Sequence, residues 1–143
     1  MNKKAESFKK FLDEKEIKDF SIEEVEGNDV HAVLFRSTLD INGTKLPTMF
    51  ILDDTIYGMM RVLVAPNAQN AKDIDALAQL LNEYNMTYKA FKFSTDNDGN
   101  VNMDVCLIIP HDEVDGQLVY HLYETMIDQL KDSYKDIMKV IWG

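Results

Sequence analysis

The sequence predicts an α+β domain: a helix, a three- to four-stranded antiparallel meander, a helix, a two-stranded hairpin and a long C-terminal helix. Three observations carry that prediction. Runs that alternate with a period of two follow one another across short turns at Val30–Ile41, Leu46–Leu52 and Tyr57–Ala65, so successive strands pair antiparallel. A second alternating pair, Phe91–Ile109, folds back at Asp96-Asn97-Asp98-Gly99-Asn100. Apolar residues at helical spacing come before, between and after these blocks. They do not alternate singly with strands, which separates α+β from a doubly wound sheet.

Each element has its own justification. In residues 3–16, Ala5, Phe8, Phe11 and Leu12 form a narrow apolar stripe, and Lys3, Lys4, Lys9 and Lys10 fall on a solvated face. Ile17 and Phe20 close the helix, and Ser21–Val25 makes a short edge strand. Val33, Phe35, Leu39 and Ile41 share one parity before Asn42-Gly43, the strongest two-residue hairpin signal. Pro47 sits near the start of the return strand, where its missing N–H does little harm. Asp53-Asp54 turns into Tyr57–Ala65, apolar on both parities except at Arg61, which predicts a central strand covered on both faces.

Pro66-Asn67 breaks the sheet, and Asn67 or Asn70 caps the second helix. That helix presents Ile74, Leu77, Ala78 and Leu81 at spacings of three and four, and its end offers Asn85, which tolerates the left-handed terminating conformation. In the hairpin, Phe91 and Phe93 face one side, as do Val101, Met103, Val105, Leu107 and Ile109, around a turn in which Gly99 takes positive φ. After Pro110, Asp112 or Asp115 caps the last helix. Its stripe runs Val119, Leu122, Met126, Leu130, Tyr134, Ile137 and Ile141, widened by Tyr123, Ile127 and Met138. Ser133 marks a weak point at which two shorter helices are allowed. No linker, repeat or low-complexity tract divides the chain, so residues 3–142 read as a single domain.

Composition excludes several classes. The chain has 143 residues and a formal net charge of −10, a poor match to phosphate backbones or anionic membranes and a good one to basic partners. No apolar run approaches the ~18 residues of a membrane span. The charged N-terminus is not a secretory signal, and the one cysteine, Cys106, suits a reducing cytoplasm. Within its apolar strand Cys106 reads as an inert core residue.

Candidate chemistry is thin. Asp96, Asp98, Asn100, Asn102 and Asp104 invite a calcium reading, but an EF-hand needs Gly and an acid where this chain has Val101 and Leu107. A polar hairpin tip accounts for them better. His31, His111 and His121 fit no metal-ligand spacing, although His121 and Glu124 share a helix face. There is no phosphate loop, GxSxG or CxxC. We therefore assign no catalytic residue, cofactor or metal. Eight methionines fill cores or line adaptable surfaces, and Met59 and Met60 point to opposite faces. The candidate protein interface is Tyr57, Met59, Arg61 and Leu63, which share one parity, together with Ile141 and Trp142 of the tail, which either cap the core or offer a handle.

Leu77–Asn85 (LAQLLNEYN), Phe91, Phe93, the Asp96–Asn100 turn and Val101–Ile109 resemble the YbjN-type family, also called putative bacterial sensory transduction regulators. The likeness in element order covers about residues 3–142, and the strands before Pro66 fit more loosely. That family resembles type III secretion chaperones in fold: small, acidic, usually dimeric proteins without enzymatic activity that hold extended client segments along apolar patches. The resemblance implies a noncatalytic cytoplasmic protein-binding module, chaperone-like or regulatory, that forms a homodimer. It carries over structural roles for Asn85 and Gly99 and no catalytic residue. Two other readings stay open. One is a small-ligand sensor or enzyme with a pocket between sheet and helices. The other is an acidic immunity-type inhibitor of a basic partner.

Overall fold

A computed structural model describes residues 1–143. The elements run α1 (Lys3–Glu14), β1 (Ser21–Glu24), β2 (Val33–Ile41), β3 (Thr44–Leu52), β4 (Tyr57–Ala65), α2 (Ile74–Thr87), β5 (Lys92–Thr95), β6 (Val101–Ile108) and α3 (Gly116–Trp142), the predicted α+β order. Meander and hairpin are not separate sheets. They join as one six-stranded antiparallel sheet in the order β1-β2-β3-β4-β6-β5, because β6 pairs with β4 along most of its length. The β2–β3 turn has positive φ at both Asn42 and Gly43, the conformation that matches strand twist. Gly99 is likewise at positive φ, 79°.

All three helices lie on one face of the sheet. Phe35, Phe50, Met60, Val62 and Met103 point into that side and are fully buried, with Phe8, Met126, Leu130 and Ile137 from the helices above them. Phe8 is the hub: its ring meets Phe35 at 5.0 Å and Phe50 at 5.1 Å, edge to face in both cases. β4 is thus covered on one face only, which corrects the two-faced reading. Short turns join β2, β3 and β4, so the helices come from the two chain ends and the β4–β5 connection, and all three settle on the same side.

Other details depart from the sequence reading for local reasons. Asp73 caps α2, accepting from Ala76 N at 3.0 Å, while Asn67 adopts the left-handed region ahead of a short 3₁₀ turn. Asp115 caps α3. Ser133 does not break α3: it is buried in the helix interface with its hydroxyl satisfied by the Gln129 carbonyl one turn back, and the helix runs on to Trp142. Asn85 lies inside α2, which runs on to Thr87, so it is not a left-handed terminator. Its side-chain amide reaches β5 instead, donating to Phe93 O at 3.0 Å and accepting from Phe93 N at 2.7 Å. Lys4 is not on the solvated face: only 7% exposed, it extends its ammonium to the Thr55 carbonyl at 2.8 Å.

Candidate protein interface

The other face of the sheet carries no helix. Cross-strand register fixes what it presents, because residues directly opposite one another point the same way. One row runs Leu34, Ile51, Met59 and Cys106 across β2, β3, β4 and β6. The next runs Arg36, Met49, Arg61 and Asp104. Leu63 faces Asn102 beyond them, and Tyr57 faces Ile108 at the other end. Leu34, Met49, Ile51, Met59 and Leu63 are half-buried by one another alone, and Tyr57 and Ile108 are 54% and 68% exposed. Cys106 is exposed on this face, not a core residue, because Val105 and Leu107 take the inward positions beside it.

Both arginines of the chain sit in one row of this open face, and each is paired. Arg61 grips Asp104 bidentately, Nε to Oδ1 at 2.8 Å and a terminal nitrogen to Oδ2 at 2.9 Å. That hydrogen-bonded pairing raises the Arg61 pKa further above its ordinary value. Arg36 reaches Glu23 at 3.2 Å. With Asp40 and Lys45 opposite each other near the hairpin end and Lys92 opposite Asp104, the face holds four cations and three carboxylates in a chain of net charge −10. It is nearly neutral, and the excess acid lies elsewhere.

The six interface candidates divide. Tyr57, Met59, Arg61 and Leu63 come together on β4 as one strip of the open face. Ile141 does not belong with them: it is 1% exposed and packed in the core, since the α3 stripe that carries Ile137 inward carries Ile141 inward too. Trp142, one residue on, is 58% exposed but lies on the helical side. The partners of the β4 strip, Leu34, Met49 and Ile51, carry no signal in the sequence, because each strand reads as half-polar alone. Only register shows that their outward residues meet.

Among the cavities on the helical side, two lie beside polar groups. The larger, about 490 Å³, surrounds the start of α1, where charged groups already have partners: His31 with Asp54 at 2.5 Å, the N-terminal amine with Glu24 at 2.8 Å and Lys4 with the Thr55 carbonyl. The smaller, about 230 Å³, lies between β2, β3, α3 and the chain leading into β1. Here β1 has ended, since it pairs with β2 only from Val33 to Arg36. On an otherwise apolar inner face, Ser37 and Thr48 stand opposite each other. Above them Tyr123 is 5% exposed, and its hydroxyl has no hydrogen-bond partner. Thr48 is close enough to influence Tyr123, but its own proton goes to the Arg61 carbonyl at 3.1 Å. Burial pushes the Tyr123 hydroxyl well above the usual phenol range.

No three or more His, Cys, Asp or Glu side chains are grouped so as to hold a metal ion. No helix is long and apolar enough to cross a membrane. Compared with known proteins, the chain matches no family model and no curated protein sequence.

Proposed function

We propose that this chain is a noncatalytic protein-binding module of YbjN type, working in the cytoplasm, which docks apolar protein segments on the open face of its sheet. One observation carries the reading: the strip Tyr57, Met59 and Leu63 continues through Leu34, Met49 and Ile51 as an apolar surface with no covering helix. An exposed patch of this kind, bordered by polar groups, marks contact surfaces. Both arginines on it are paired with carboxylates, so docking an apolar segment over them strands neither guanidinium.

Without a client, a second copy is the occupant that suits the face. Two near-neutral faces meet without strong like-charge repulsion. The module is then a homodimer whose interface and client surface coincide. Light scattering over a concentration series tests this. The wild type is expected to approach twice the monomer mass, and Met59→Asp to remain a monomer with unchanged circular dichroism. Equal mass for the two proteins at all concentrations removes the open face as the interface. If raised salt dissolves the wild-type assembly, charge pairing governs it, and the reading as an immunity-type inhibitor of a basic partner gains over apolar docking.

A further inference from the structure

The rim of the sheet beside β1 is a surface distinct from the open face. β1 pairs with β2 only from Val33 to Arg36, so β2 runs on from Ser37 to Ile41 with no strand outside it. The Val25 N–H donates to the Ala32 carbonyl at 3.0 Å, and that bond fixes the phase of the ladder. Every second residue onward, Leu34, Arg36, Thr38 and Asp40, turns its peptide groups to the β1 side. At Thr38 and Asp40 there is no β1 left to meet them. No turn or loop bond reaches these groups either, whereas on the opposite rim the Asn85 amide occupies Phe93.

An unpaired strand edge is a template for another strand. Its surroundings determine which strand suits it. On the helical side the smaller cavity runs along the bare stretch, where Ser37, Thr38 and Leu39 line it together with Phe20, Tyr120 and Ile127. Inward side chains of an added strand would lie on that half-buried wall. Asp19 and Glu124 are exposed beside it, and neither is in an ion pair. A second copy of this chain would set those carboxylates against their own counterparts, while a basic segment complements them. The free peptide groups make the site, and the carboxylates select its occupant.

We infer that the rim of β2 from Ser37 to Ile41 takes up an extended basic segment of a partner protein as an added antiparallel strand, in line with β1. The peptide groups of Thr38 and Asp40 hold its backbone. One inward apolar side chain lies beside Leu39, and cations on the inward residues to either side reach Asp19 and Glu124. The open face takes no part, so this site is separate from the docking of apolar segments there.

Titration of the full chain with the peptide acetyl-Lys-Thr-Val-Thr-Lys-amide, followed by amide chemical shifts and hydrogen exchange, tests this. With the valine opposite Leu39, the two threonines stand opposite Thr38 and Asp40. The amide protons of Thr38 and Asp40 are expected to shift downfield and to exchange more slowly. N-methylation of both peptide threonines removes the donors that face β2 and should weaken binding about tenfold or more. N-methylation of the valine, whose N–H points away from β2, should leave binding unchanged. Acetyl-Glu-Thr-Val-Thr-Glu-amide should bind about tenfold or more weakly, and Asp19→Asn with Glu124→Gln should remove most of that difference. Met59→Asp, which alters the open face, should bind the peptide as the wild type does, so failure of one surface is read apart from failure of the other. Three results overturn the assignment. One is the absence of any change at Thr38 and Asp40 in peptide excess. Another is equal binding by the threonine-methylated peptide, which would mean contact through charge alone. The third is exchange at these two amides that slows as the concentration of peptide-free protein rises, which would place a second copy on the rim.

Discussion

At the scale of single residues, Gly116 is closely constrained by a ring. A Cβ there would stand 2.3–2.5 Å from three ring carbons of Phe11, which holds the start of α3 against α1. Gly116→Ala must displace that ring. It is expected to cost about 1–3 kcal/mol in urea unfolding despite the better helix propensity of Ala. Asp96 is a different kind of anchor. Its carboxylate accepts from the backbone of Asp98 and Asn100 and from the side chains of Asn100 and Asn102, which holds its pKa below the ordinary value. A lowered folded pKa stabilises above the unfolded value and is lost as pH falls through the folded one. The advantage of the wild type over Asp96→Asn should therefore hold above about pH 4 and vanish in stronger acid, as read by paired thermal melts across pH.

At the scale of elements, much of the architecture is legible and some of it is not, for definite reasons. Period-two alternation and Asn42-Gly43 marked β2 and β3, and three- and four-residue spacing marked α2 and α3, because these patterns come from backbone geometry alone. The open face was half legible. Parity grouped Tyr57, Met59, Arg61 and Leu63, but their neighbours on β2 and β3 depend on register, and which face stays bare depends on where the helices cross. The cavity was illegible. Tyr123 reads as one more apolar member of the α3 stripe, and only the three-dimensional arrangement leaves its hydroxyl unmatched. Asn85 was recognised as important and given the wrong role, since a side chain reaching from α2 to Phe93 has no signature in spacing. That contact supplies β5 with the partners a seventh strand would have given. Asn85→Ala should cost about 1–2 kcal/mol and speed amide exchange at Phe93 beyond its effect on α2.

At the scale of the whole molecule, charge and apolar surface are segregated. The bare sheet face is apolar and near neutral, the three helices are close to charge balance, and most of the net charge of −10 lies in the connecting segments, at Glu26, Asp29, Asp53, Asp54, Asp96, Asp98, Asp112, Glu113 and Asp115. The face therefore offers an apolar partner little electrostatic opposition. The open face and the smaller cavity share Thr48 and Arg61 as a link, since the Thr48 hydroxyl beneath the cavity is bonded to the carbonyl of the residue whose guanidinium faces outward. A double-mutant cycle on Arg61 and Asp104 is expected to return about 0.5–1 kcal/mol of coupling, falling with salt, because the pair is partly exposed.

The Asn85 amide also limits how copies of the chain can add to one another. It occupies the mid-strand backbone groups of β5 that would otherwise recruit a neighbour, so one rim of the sheet is blunted while the opposite rim, past Arg36 on β2, is bare. Head-to-tail growth needs two complementary rims. A molecule with only one cannot extend its sheet strand to strand through copy after copy.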